Sequence, residues 1–296
     1  MSKRSLALTA ASFAALFYGA NYTIAKDVMP AYIEPFGFIV VRVFGASLLF
    51  WFISFWGPKE RIDKTDYFRI FAAAFFGVGL NMLTFFEGLS LTSPINASVI
   101  MISVPIIVLG LSTFFLKEKL TFLKIVGMLI GLSGAFLIIV YGKGDQVTAA
   151  NPALGNLLVF INAVSYAGYI IIVKKITEKY HPFTFIKWMY TIGFLLVLPF
   201  GYNQLIDVQV TDIPVSIFLK IGYVILFATF GTYICNIFAI RQLKPTTVAV
   251  FIYLQPLLAS VFAIMLGSDQ IDVIKILAAI LICIGVYLAT KKPTKV

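Results

Sequence analysis

A single histidine and two cysteines are all that this 296-residue chain offers of the usual soft metal ligands. A His-based metal centre or a haem held by paired histidines has too few ligands here. His181 stands alone, at a helix start. Cys235 and Cys283 both fall inside apolar runs, where they read as small buried hydrophobes and not as a disulfide framework. Charge is scarce too. Asp, Glu, Lys and Arg make up 12% of the residues, against about 25% in soluble domains. An Asp-rich pyrophosphate motif, a Gly-rich nucleotide loop and a G-x-S-x-G elbow are absent, which argues against a membrane-embedded enzyme of those classes. No cofactor and no metal are expected. A channel would need a filter-like repeated loop or a ring of charge, and neither is present.

What the chain has in abundance is apolar sequence. Hydrophobic residues are 60%, the mean hydropathy is +0.98, and there are 29 phenylalanines. A membrane-crossing helix needs about 20 mostly apolar residues. Ten stretches qualify, at 6–25, 35–56, 67–87, 93–116, 121–141, 153–173, 182–201, 215–238, 245–267 and 271–290. The longest connections, 57–66, 142–152 and 202–214, are too short for a soluble domain. Lys3 and Arg4 resemble the start of a signal peptide, but the apolar run that follows is too long and nine more stretches come after it. The first stretch is expected to be retained.

The net charge of +10 is a topology signal first. One set of alternate connections, running from Lys3 and Arg4 through Lys59, Arg61, Lys64 and Arg69 to Lys291, Lys292 and Lys295, holds 17 basic residues. The other set holds Lys26 and Lys143, with Lys220 and Lys275 at helix starts. Basic loops stay inside, so both termini are expected in the cytoplasm of a cell whose inner membrane holds the protein. The partners expected are the lipid bilayer and a small-molecule solute, and no nucleic acid.

The stretches repeat. Pro94 and Pro105 lie 11 residues apart, as do Pro245 and Pro256, and the two pairs are 151 residues apart. Arg69 and Lys220, Lys124 and Lys275, and Gly134 and Gly285 keep the same offset. The chain therefore divides into 1–145 and 146–296, each with five helices. An odd number of crossings turns the second half over. The fold expected is an all-α integral membrane protein of ten transmembrane helices in two inverted five-helix repeats, a plan suited to alternating access at the midplane.

Candidate site residues follow from depth. Pro105 and Pro256 sit about 16 Å into their helices. Each removes a backbone donor and frees a carbonyl, at Met101 and Ile252. The two prolines are expected to bend the fourth and ninth helices and gate the path. Gln255 offers an amide near mid-depth, with Tyr253 about 200° away around the same helix. Tyr18, Asn21, Asn81, Ser98, Asn162, Tyr166, Tyr169 and Asn236 are further polar groups in apolar surroundings. Each serves either as an interhelical bond or as a ligand. Arg42, about 10 Å from the outer end of its helix, is the strongest candidate, because a cation in the bilayer is costly. It either holds a substrate carboxylate or phosphate, or ties helices together with Glu87 or Asp27 beside it. Lys187 is close enough to the inner surface to snorkel. No Asp or Glu falls at mid-depth, which favours facilitated efflux or exchange over ion coupling. The Gly127/Gly131 pair is open to two readings, a contact between copies or packing within its half. Monomer and homodimer both stay open.

The run Leu116-Lys117-Glu118-Lys119-Leu120-Thr121 precedes Gly127, Gly131 and Gly134. Together with Tyr18-Gly19-Ala20-Asn21, Arg42 and the Pro94/Pro105 helix, it resembles the EamA-like family of the drug/metabolite transporter superfamily. In the second half Ser268-Asp269-Gln270 replaces Lys117-Glu118-Lys119, so the basic neighbours of the acid are missing there. The resemblance covers nearly the whole chain. It implies ten helices, a central cavity, and export or exchange of small metabolites such as amino acids. Nucleotide sugars, other phosphorylated metabolites or drugs are the alternative cargo, and the phosphorylated ones would call for more cavity cations than Arg42 and Lys187.

Overall fold

The computed structural model of the chain describes residues 2–92, 94–141, 151–265 and 272–291. Within them the regular structure is helical. We number ten helices: α1 (Lys3–Val28), α2 (Pro35–Ser54), α3 (Lys64–Leu91), α4 (Pro94–Met101 continued by Val104–Leu116), α5 (Phe122–Tyr141), α6 (Pro152–Lys179), α7 (Pro182–Ile206), α8 (Val215–Gln242), α9 (Pro245–Ala249 running on to Leu254–Met265) and α10 (Val273–Thr290). Among the described residues, α2 to α10 supply nine segments long and apolar enough to cross a membrane. The 26-residue α1 is the tenth long helix, diluted by Lys3, Arg4, Lys26 and Asp27. The chain is a multi-pass membrane protein.

The helix starts are written locally. Asn151 Oδ1 accepts from the Leu154 amide, Asp272 Oδ1 from Lys275 and Ser2 Oγ from Ser5, satisfying donors that a helix start leaves free. Pro35, Pro152, Pro182 and Pro245 occupy first-turn positions, where the missing amide costs nothing. Helix α6 runs two turns past the expected 173, carrying Lys174, Lys175 and Lys179 beyond its apolar stretch.

Four helices are irregular in their middles, at matching places in the two halves. In α3, residues Phe75–Gly79 form a wide π turn, and in α8 Val224–Gly231 do the same. In α4 the helix breaks at Ile102–Ser103, and in α9 it tightens to a 3-10 turn over Val250–Tyr253. Pro105 and Pro256 lie in the first turn of the segment after each break. They restart helices where a bend in continuous ones was expected.

Helices of one half pack chiefly on those of the other. α2 packs on α7, α5 on α10, α1 on α8 and α9, and α6 on α3 and α4. The first two pairs join sequence-equivalent helices, and they run antiparallel. Gly37 faces Gln204 at one end of α2–α7, and Gly57 faces Phe183 at the other. Along α5–α10, Gly127 faces Ala289 and Gly134 faces Ile282. Here the Gly127/Gly131 stripe meets Gly285 so closely that a Cβ on Gly285 would fall 2.3 Å from the Gly131 nitrogen. The stripe is buried between the two halves, a third use beside the two read from the sequence. Cys235 is half-buried, and Cys283, expected to be buried, is exposed on α10.

Candidate functional site

The wide turns build the centre. A π turn takes carbonyls off the helical ladder, and in a bilayer these must find donors. In α3 the Phe76 carbonyl accepts from Ser165 Oγ (2.7 Å) and the Gly77 carbonyl from the Tyr233 hydroxyl (2.7 Å). In α8 the Val224 carbonyl accepts from Thr229 Oγ1 (2.8 Å) and the Phe227 carbonyl from Thr232 Oγ1 (3.0 Å). Helix α6 is docked on α3 by a further bond, from Asn162 Nδ2 to the Asn81 carbonyl (2.6 Å). Gly77 has no room for a side chain. A Cβ there would lie 2.3 Å from the Tyr169 ring.

Arg42 projects from α2 into this centre and is 3% exposed. Its Nε donates to Thr229 Oγ1 at 3.2 Å, so the first half reaches the wide turn of the second. Among the described residues, no acceptor meets its two outer nitrogens and no carboxylate pairs with it. Asp27, weighed as a partner from the sequence, binds Lys220 at 2.6 Å instead. Tyr18, Tyr190 and Tyr233 are within electrostatic range of the guanidinium.

Two of these phenols, Tyr190 and Tyr233, belong to a chain of rings. Tyr166 stacks on Tyr169 (centroids 5.8 Å apart), Tyr169 meets Tyr233 (5.9 Å), Tyr233 meets Tyr190 edge-on (5.0 Å), and Tyr190 meets Phe50 (4.6 Å). The Tyr169 and Tyr190 hydroxyls, Asn21 Oδ1 and Asn162 Oδ1 are buried without a hydrogen-bond partner among the described residues. Each such group costs about 1–3 kcal/mol. Asn21 follows Tyr18 by one turn, and Asn162, Tyr166 and Tyr169 share one face of α6.

Not every expected residue joins this group. Tyr253 is fully buried in a separate cluster with Ile102, Met128 and Ile282, its ring over Gly131 and its hydroxyl without a hydrogen-bond partner among the described residues. Gln255 is half-buried and bonds to no described residue. Met101 packs at the margin of the main core, and Asn81 contributes its carbonyl. The side chain of Ser98 lies outside the described residues, as does Asp269. Lys187 stands over the Trp51 ring at 4.6 Å, near the start of α7. Thr229, Tyr190 and Tyr233 were missed by the sequence reading. Thr229, Thr232, Tyr233 and Asn236 recur at helical spacing in an otherwise apolar stretch, a pattern that marks the protein-facing side of a membrane helix. Among the described residues, no group of three or more His, Cys, Asp or Glu side chains is placed to hold a metal.

The end that carries both termini is closed by charge. Glu118 Oε1 meets Lys124 Nζ at 2.7 Å, and both bond to Thr246 Oγ1 at the start of α9. Lys179 Nζ lies 2.5 Å from both Asp63 and Asp66, and the Tyr180 hydroxyl donates to Asp66 at 2.8 Å. Between α6 and α7, burial and the nearby charge of Arg241 lower the pKa of His181 below its usual value, while Glu60 opposes them.

A bilayer-spanning bundle with a buried cation at its centre and matched irregular helices has clear relatives. A solved crystal structure superposes with a TM-score of 0.79 at 17% identity, over 97% of this chain and 96% of that one. The chain is 24% identical to the uncharacterized transporter YyaM of Bacillus subtilis, over 93% of this chain and 90% of that protein. It is 25% identical to an uncharacterized transporter of Archaeoglobus fulgidus, over 93% and 95%. It is 28% identical to the uncharacterized inner membrane transporter YedA of Escherichia coli, over 73% and 70%. The model of the EamA-like transporter family matches twice, at residues 5–140 and 153–291, and the chain belongs to that family of membrane transporters.

Proposed function

We propose that the protein carries small organic solutes bearing a carboxylate, amino acids foremost, through a central site at Arg42. One observation carries this reading. Arg42 is buried, yet its outer nitrogens have no acceptor among the described residues. A buried guanidinium is costly unless paired, and its two outer nitrogens match a carboxylate bidentately. The unpartnered Asn21, Tyr169 and Tyr190 groups supply polar contacts to the rest of a zwitterion, and the tyrosine rings supply apolar walls. The antiparallel packing of α2 on α7 and α5 on α10 supports two inverted halves, 1–145 and 146–296, that rock about this centre. The breaks before Pro105 and Pro256 let the α4 and α9 segments swing as the halves move. The basic end then faces the cytoplasm, with the protein in the cell's inner membrane.

Counterflow in proteoliposomes tests the reading. Vesicles are preloaded in turn with amino acids, sugars, nucleotide sugars and cationic drugs. Amino-acid exchange that falls by at least about 100-fold in folded Arg42→Ala is the expected result, from the loss of a charged hydrogen-bonding partner. Exchange of a phosphorylated solute alone shifts the cargo to that class, and exchange untouched by Arg42→Ala sinks the site.

A further inference from the structure

At the end that carries both termini, away from Arg42, lies a cavity of about 590 Å³. Its walls come from the end of α2, the connection to α3 and the first turns of α7. Lys59 and Arg61 stand on the connection and Lys187 on α7. Glu60 also lines it, but its Oε2 is held by the His181 amide (2.8 Å) and the Thr184 hydroxyl (2.7 Å). Among the described residues, none of the three cations has a carboxylate partner. Lys187 has only a long contact to Ser54 Oγ (3.4 Å) and the face of Trp51. Three cations against the single carboxylate of Glu60 leave the concavity with a formal excess of two positive charges, which favours an anion there.

The surroundings indicate which anion. All three tryptophans of the chain stand here, on α2 and α7 or just past the end of α2: Trp51, Trp56 and Trp188. Trp188 lines the cavity and meets Trp51 edge-on at 5.2 Å, and Tyr67 meets Trp188 at 6.5 Å. Phe55, Trp56 and Phe68 are each more than 70% exposed nearby. An aromatic collar of this kind marks the level of the membrane interface, where phospholipid phosphates lie. Cations at that depth select anionic lipids. We propose that this cavity binds the phosphodiester head group of an anionic phospholipid, held by Lys187 from α7 and by Lys59 and Arg61 from the α2–α3 connection. The bound lipid joins residue 61 of the first half to residue 187 of the second.

Because Trp188 lines the cavity and Trp51 packs against Trp188, the intrinsic fluorescence that remains in a Trp56→Phe background reads the cavity. The full chain is reconstituted in phosphatidylcholine vesicles containing rising fractions of phosphatidylglycerol with brominated chains, or of phosphatidylcholine labelled in the same way. Phosphatidylglycerol is expected to quench at the lower mole fraction. Lys59→Gln and Arg61→Gln, at exposed positions that carry no packing, each weaken that preference about fivefold. Lys187→Met weakens it likewise and Lys187→Arg keeps it. Equal quenching by the two lipids, or a preference unchanged in the Lys59→Gln/Arg61→Gln double variant, overturns the proposal. So does millimolar inorganic phosphate, if it shifts the emission in plain phosphatidylcholine vesicles as strongly as phosphatidylglycerol does, since the site then takes a soluble anion. None of these readouts depends on transport.

Discussion

At the end that carries both termini, the contacts between 1–145 and 146–296 run through buried charge. At the opposite end, among the described residues, they run through neutral groups and the exposed Asp27–Lys220 pair, while Lys275 is buried there beside Asp272 of its own half. The Glu118 and Lys124 side chains are 4% and 8% exposed, and Thr246 of the other half closes their triangle. Asp66 is equally buried beneath Lys179. At the opposite end, Asp27 and Lys220 are 48% and 35% exposed. Gln204 accepts from the Gly37 amide there, and Thr92 donates to Asn156. An exposed pair is worth under about 1 kcal/mol, whereas stripping one partner from a buried pair costs about 3–5 kcal/mol. Of the contacts described, the buried charged ones at the end that carries both termini are therefore the costlier to break.

The largest test removes one half of the buried pair. Lys124→Met leaves the Glu118 carboxylate buried without its cation and is expected to lower stability by about 3–5 kcal/mol, measured by thermal unfolding in detergent. Replacing both residues by methionine recovers most of that loss, because the cost lies in the orphaned charge. If the single and double variants fall equally, burial at this end is not what distinguishes it. Next comes Lys179→Met, which takes the bridging cation from two carboxylates but leaves Asp66 its bonds to Tyr180 and Arg69. Its loss should fall clearly short of that of Lys124→Met in the same assay.

Asp27→Asn breaks the exposed Asp27–Lys220 pair and should cost less than about 1 kcal/mol, and less still at high salt. A loss as large as that of Lys124→Met would erase the comparison. The smallest effect belongs to His181, whose folded-state pKa lies below its unfolded value. The sign is fixed: its contribution to stability is complete above the unfolded pKa of about 6.5 and is lost as pH falls through the folded value. His181→Gln should flatten the melting temperature against pH below about 6.5, and leave it unchanged at pH 8.

Much of the frame was legible in the sequence, because the bilayer imposes it locally. Apolar length gave the helices, prolines marked where α4 and α9 are interrupted, and the cost of a cation in lipid singled out Arg42. The wide turns in α3 and α8 were not legible, since a π turn has no local signature beyond glycines such as Gly77, Gly79 and Gly231. The partners of Arg42 were hidden for another reason. Thr229 lies 187 residues away, and nothing in either segment encodes the register between helices of different halves. Glu118 and Lys124 stood in the motif that carries the family resemblance, yet their pairing needs the loop between them and Thr246 from the other half.

The glycine-to-glycine seam of α5 and α10 has a mechanical consequence. Where the Gly131 and Gly285 backbones touch, neither helix can tilt toward the other without collision, so the two are held as one beam. Any relative motion of the other described helices would have to pivot around this spine, to which residues of both sequence repeats contribute.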